Sequence, residues 1–202
     1  MKWALVIVAM GLALSSPARA AQLEGVTLPD TQFVDRTELR LNGIALRTYS
    51  IFQIPIYVAG LYLVRPDSDP DHILRSADTK LLDIRFIHDV SEDSARTAWR
   101  EGFDQNCVAP CRLRPDDLQR FLAGVPAMRK GDRYSILFTR DGAEIQANGR
   151  HVGTITDRGF ATAMLTTFIG PEPPTARLKR ELLGAAEERQ LHASGTVPRT
   201  HR

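Results

Sequence analysis

Apolar and polar positions along this chain follow two periods, and the alternation between them predicts the elements. Residues 37–41 and 44–47 alternate with the two-residue period of a half-buried strand, and Asn42-Gly43 between them tolerates the positive φ of a tight turn. A hairpin is predicted there, with Glu38 directly opposite Arg47 across it. Residues 49–64 carry Ile51, Phe52, Ile54, Ile56, Tyr57, Val58, Leu61, Tyr62 and Leu63 and read as one long strand, or as two with a bend at Pro55 or Gly60. A short helix over 71–77 and a strand over 81–90 follow.

The period then changes. Ser91-Glu92-Asp93 combines a capping side chain with acids suited to the positive end of a helix, and Ala95, Ala98, Trp99, Gly102 and Phe103 mark its buried face. A second helix starts at Pro115 with Leu118, Phe121, Leu122 and Val125 inward. Strands over 134–139, 144–147 and 151–155, with turns at Asp141-Gly142 and Asn148-Gly149, form a meander. Asp157 opens a helix burying Phe160, Ala163, Met164, Thr167 and Phe168; prolines 171, 173 and 174 end it, and a last helix turns Leu178 and Leu182 inward. Strands, helices, strands and helices in that order, without βαβ alternation, predict one α+β domain: a largely antiparallel sheet with helices packed on one face.

The two ends stand outside this pattern. Lys2, an apolar run from 4 to 14, and Ala18-Arg19-Ala20 have the three parts of a secretory signal peptide over residues 1–20. The run is too short to span a bilayer, which needs roughly 20 residues. The domain is therefore expected over 21–184 of an exported, periplasmic protein, and the polar, unpatterned residues 185–202 read as a disordered tail. In an oxidising compartment Cys107 and Cys111, with Pro110 between them, are expected to close a small disulfide loop.

Composition adds limits. The chain has 202 residues, 43% hydrophobic and 25% charged, which is the balance of an ordinary globular protein. Its formal charge of +2 comes from the leader: Lys2 and Arg19 account for it, leaving 26 − 2 = 24 basic residues against 24 acidic ones. No nucleic-acid partner and no membrane span are expected. The chain contains no glycine-rich phosphate loop, serine elbow or paired-histidine metal motif, so neither cofactor nor metal is expected. His88 before Asp89 reads as a strand-end surface pair, and Asp116-Asp117 as helix-start acids.

Several blocks, in order, resemble the chalcone isomerase-like family, and most closely its bacterial exported branch. They are Gly43-Ile-Ala-Leu-Arg47, Ile56-Tyr-Val-Ala-Gly-Leu-Tyr-Leu63, Phe86-Ile-His-Asp-Val-Ser91, Trp99-Arg-Glu-Gly-Phe103, Lys130-Gly-Asp132, Asn148-Gly149, Gly159-Phe-Ala161, Leu165-Thr-Thr-Phe-Ile-Gly170 and Leu182-Leu-Gly184. The resemblance implies an open-faced antiparallel sheet with a helical layer enclosing an apolar cleft. It also implies two kinds of activity. Plant enzymes of the family cyclise a chalcone, an enone, with an arginine, two threonines, a tyrosine and an asparagine. Non-catalytic members hold a fatty-acid carboxylate with the arginine and a tyrosine.

By position, Arg47 matches the arginine, Tyr57 falls at the first threonine's strand position, and Thr167 matches the second threonine. Residues 91–106 contain no tyrosine, and Asn106 is the one candidate there for the asparagine. Arginine with tyrosine on the next strand is the carboxylate-binding arrangement, since a guanidinium fork and a phenol both donate to a carboxylate. The leading expectation is thus a non-catalytic binder of a small apolar carboxylate through Arg47, Tyr57 and Thr167. An intramolecular lyase using Arg47 and Thr167 on an enone, and a scaffold for a protein partner, are the alternatives. Each residue also has a plainer role open to it: Arg47 in an ion pair with Glu38, Tyr57 in the core, Thr167 bonded to its own helix.

Overall fold

A computed structural model of the chain describes residues 20–109 and 111–184; residues 1–19 of the predicted leader, Pro110 and the predicted tail lie outside the described residues. Nine strands and five helices follow one another in this range. They are β1 (Ala20–Leu23), β2 (Val26–Pro29), β3 (Thr31–Val34), β4 (Thr37–Tyr49), β5 (Ile54–Leu63), α1 (Pro70–Arg75), β6 (Lys80–Phe86), α2 (Glu92–Asn106), α3 (Pro115–Ala123), β7 (Arg133–Thr139), β8 (Gly142–Ala147), β9 (Arg150–Ile155), α4 (Arg158–Ile169) and α5 (Ala176–Leu182). Strands β3 to β9 form one seven-stranded sheet in chain order, antiparallel throughout, and β1 pairs with β2 in a separate hairpin.

The alternation along each strand assigns its side chains to two faces. Ala45, Ala59, Leu61, Leu82, Ile84, Tyr134, Ile136 and Ile145 pack with Phe103 of α2, Phe121 of α3, Phe160, Met164 and Phe168 of α4, and Leu178 of α5 in the main core. The intervening residues point the other way. Leu46 and Val58 pack there with Leu28 of the β1–β2 hairpin, and Leu39, Tyr62 and Leu81 form a further group. The helices therefore cover one face, as the pattern predicts.

Helix starts agree with the caps read from sequence. Ser91 Oγ accepts from Ser94 N at 3.2 Å and Asp157 Oδ1 from Phe160 N at 2.9 Å. Thr175, for which the sequence carries no such expectation, caps α5 in the same way, its Oγ1 accepting from Leu178 N at 3.1 Å. On α2 the buried face is narrower than expected. Phe103 is buried and Trp99 partly so, but Ala98 is exposed.

The predicted hairpin at Asn42-Gly43 is not formed. β4 runs through both residues as one strand of 13, with a register shift between Leu41 and Gly43 that leaves Asn42 bulged. Two contacts with α5 explain why this dipeptide stands in a strand. The Asn42 side chain is buried, donating to Leu182 O and accepting from Asp67 N, each at 2.8 Å. At Gly43, a Cβ would collide with the backbone of α5, lying 2.7 Å from Leu182 O. The chain reverses instead between Tyr49 and Ile54, where Ser50 and Gln53 take positive φ of 64° and 54°. Glu38 and Arg47 consequently lie on the same strand: Glu38 faces Phe33 and bonds Arg40, and Arg47 faces Tyr57. The cross-strand ion pair is excluded.

β3 pairs only with the first part of β4, from Thr37 to Arg40. Beyond it α5 lies along the strand, and Glu181 Oε2 accepts from Leu46 N at 3.4 Å while Arg177 holds the other carboxylate oxygen at 2.7 Å.

Candidate functional site

Arg47 and Tyr57 are register partners on β4 and β5, and Phe86 of β6 is the next residue in the same row. The two-residue alternation from Ala45 and Ala59 places all three on the helix-facing side. The Tyr57 and Phe86 rings meet edge to face at 5.6 Å. Behind this row the small residues Ala45 and Ala59 leave the sheet surface low, in the same core as Phe103 of α2 and Phe168 of α4, and α5 packs against β4 and β5. Trp99 stacks on Phe103 at 5.6 Å and meets Phe121 and Phe168 edge-on at 5.0 and 5.6 Å. The result is a half-buried cation and a half-buried phenol at the margin of an aromatic layer.

Burial pushes the Tyr57 phenol up to about 12, with the positive Arg47 beside it partly offsetting that rise. The phenol stays neutral and keeps an O–H to donate. Arg47 Nη1 donates to the main-chain carbonyls of Thr48 and Pro174, the latter at 3.2 Å. Among the described residues the other guanidinium donors make no hydrogen bond. The Pro174 carbonyl is brought there by α2: Asn106 Nδ2 donates to Gly102 O at 3.0 Å and Glu172 O at 2.7 Å, and its Oδ1 accepts from Glu172 N at 3.1 Å. Asn106 is thus occupied in tying α2 to the segment that meets Arg47.

Thr167 is buried on α4 rather than on the sheet. Its hydroxyl donates to Met164 O at 2.7 Å, the helix's own backbone, and a Cβ added at Gly102 of α2 would lie 3.1 Å from the Thr167 Cβ. Arg47 and Tyr57 are brought together, whereas Thr167 serves the α2–α4 contact. Cys107 and Cys111 form a disulfide with Cα atoms 5.0 Å apart. It closes the turn just after Asn106.

Two clefts stand out among the described residues, and neither is lined by Arg47, Tyr57 or Thr167. One, of about 300 Å³, lies between α3, the β7–β9 meander and the start of α4, floored by Phe121, Tyr134 and Phe160. At its mouth Arg114 and Arg120 both pair with Asp117. The other, near Lys80 and Arg158, is barely the size of one water at about 20 Å³. No group of three or more His, Cys, Asp or Glu residues among the described ones could hold a metal ion, and no described helix is long and apolar enough to cross a membrane.

The family model described as chalcone isomerase-like matches residues 20–184. The chain belongs to the chalcone isomerase-like family. A comparison with curated proteins found no match. Among solved structures, the crystal structure of an Arabidopsis thaliana fatty-acid binding protein superposes with a TM-score of 0.69 at 16% identity, covering 83% of this chain and 97% of that one. The fold of this chalcone isomerase-like chain is therefore the shared one: a curved antiparallel sheet carrying its helices on one face.

Two residues of this family member's site region were out of reach of sequence reading. Pro174, whose carbonyl meets Arg47, lies 127 positions away, and Phe86, which packs on Tyr57, had no local signal beyond being apolar in a strand.

Proposed function

We propose that this protein is an exported, non-catalytic binder of a fatty acid or similar apolar carboxylate, with Arg47 and Tyr57 holding the head group. The observation that carries the reading is their pairing across β4 and β5 on the helix-facing side, beside the low surface of Ala45 and Ala59. An arginine fork and a neutral phenol both donate to a carboxylate, and the adjoining aromatic layer suits an aliphatic tail. The fatty-acid binding function of the structurally similar Arabidopsis protein supports the same ligand class.

On binding, the carboxylate would replace the Thr48 and Pro174 carbonyls as the partner of Arg47 Nη1, and the tail would displace side chains between the sheet and α2. The committed hydroxyl of Thr167 and the absence of any tyrosine in residues 91–106 speak against the cyclising chemistry. Denaturing extraction of the purified protein, followed by mass spectrometry, tests the proposal. A co-purifying fatty acid in the wild type and none in Arg47→Ala is the expected result. Both proteins empty, with neither binding added laurate, would sink it.

A further inference from the structure

The tip of the β4–β5 hairpin is apolar and bare. Ile51 is 88% exposed, Phe52 79%, Tyr49 62% and Ile54 38%. Four large apolar side chains at one turn differ from the scattered exposed leucines or valines of an ordinary surface. The turn is built to present them. Gln53 N donates to Ser50 O at 3.2 Å, Phe52 N to Ser50 Oγ at 3.3 Å, and the Thr48 hydroxyl to Gln53 Oε1 at 3.1 Å, so the turn is braced by its own groups.

We propose that this tip anchors the protein on a lipid surface, placing the Arg47–Tyr57 pair beside the headgroup layer from which an amphiphile enters or leaves. The purpose of the anchor rests on the carboxylate-binding reading; its geometry does not. Polarity along the hairpin follows the depth profile of a bilayer. No charged residue occurs from Thr48 to Val64, and the hairpin residue just before that run, Arg47, is a cation suited to phosphate headgroups. Tyr49 ends β4, and Ile51 and Phe52 lie beyond it at the centre of the turn. Ile51 and Phe52 would then reach the acyl boundary while the Tyr49 phenol stays at the interface, where such rings prefer to lie. A projecting turn offers a protein partner no concave seat, but it enters a fluid layer without one.

Sedimentation with vesicles of phosphatidylethanolamine and phosphatidylglycerol tests this on the processed, purified protein. The wild type is expected to pellet with vesicles. Ile51→Asp and Phe52→Asp should each weaken binding about tenfold or more, as loss of one buried large apolar side chain implies. Both sites are solvent-exposed, so circular dichroism and thermal midpoints should be unchanged, and the contrast with wild type isolates the tip from any other apolar segment. Arg47→Ala should still pellet while losing bound fatty acid. Vesicle binding without any fatty-acid capture would keep the anchor and overturn the carboxylate reading. Wild type left in the supernatant, or Phe52→Asp pelleting equally, overturns the anchor. So does a wild-type dimer that Phe52→Asp dissolves while neither protein binds vesicles, which would assign the tip to a second copy.

Discussion

Asn42 and Leu182, 140 residues apart, are joined by a buried hydrogen bond of 2.8 Å from the asparagine side chain to the helix-end carbonyl. The bond fastens α5 to the bulge in β4, and the neighbouring Gly43 supplies the clearance. Gly43→Ala is expected to cost ~1–3 kcal/mol, because the obstacle is backbone and cannot rotate aside. Asn42→Ala should cost a similar ~1–3 kcal/mol by leaving Leu182 O and Asp67 N without their partner. Urea unfolding measures both; a midpoint equal to wild type in either variant contradicts the account of that residue.

On the face away from the helices, Asp83 is fully buried. It receives Arg133 Nε and Nη2 at 2.9 and 3.1 Å, Arg85 Nη2 at 3.1 Å and Gln32 Nε2 at 3.2 Å. Removing the carboxylate strands two guanidinium groups that are themselves about two-thirds buried. Asp83→Ala should lose ~3–5 kcal/mol. Asp83→Leu combined with Arg133→Met, which removes two of the charges, should recover part of that loss. An Asp83→Ala protein as stable as wild type in a denaturant titration would show that the cluster contributes little.

Alkali should weaken the fold through its buried phenols. Burial lifts Tyr57 and Tyr62 to about 12 from an ordinary value of 10.0, and it raises Tyr134 as well. Above pH 10 the unfolded chain releases phenolic protons that the folded chain retains. The stability tied to these groups is therefore intact below pH 10 and declines as pH rises towards 12. Tyr57→Phe should make that decline shallower. Unfolding free energies measured at intervals between pH 9 and pH 12 check it; parallel curves for variant and wild type would exclude a contribution from Tyr57.

Most of the helical layer was legible in the sequence because its signals are local. Ser91 and Asp157 cap the helices they precede, and Asn148-Gly149 makes its turn with φ of 52° and 74°. The first half of the sheet was harder for the same reason in reverse. Asn42-Gly43 has the composition of a turn, but its two residues answer to α5, far along the chain. The real turn holds Ser50, Ile51, Phe52 and Gln53, without glycine or proline, and its apolar residues resemble strand. The β1–β2 hairpin lies outside the predicted elements, although Glu24-Gly25, with φ of 49° and 75°, is a readable two-residue turn. In the site, family likeness singled out Arg47, Tyr57 and Thr167. Only the register joins the first two, and only the Met164 carbonyl shows what occupies the third.

The position of α5 has one more consequence. A strand of 13 residues flanked by a neighbour of four would leave most of its outer amides and carbonyls as a template on which another polypeptide could add. With Glu181 on the Leu46 amide and Leu182 on the Asn42 side chain, α5 closes that flank to further strand addition. A chain ending before Thr175 would keep every strand of the sheet and lose this guard against assembling with its own copies.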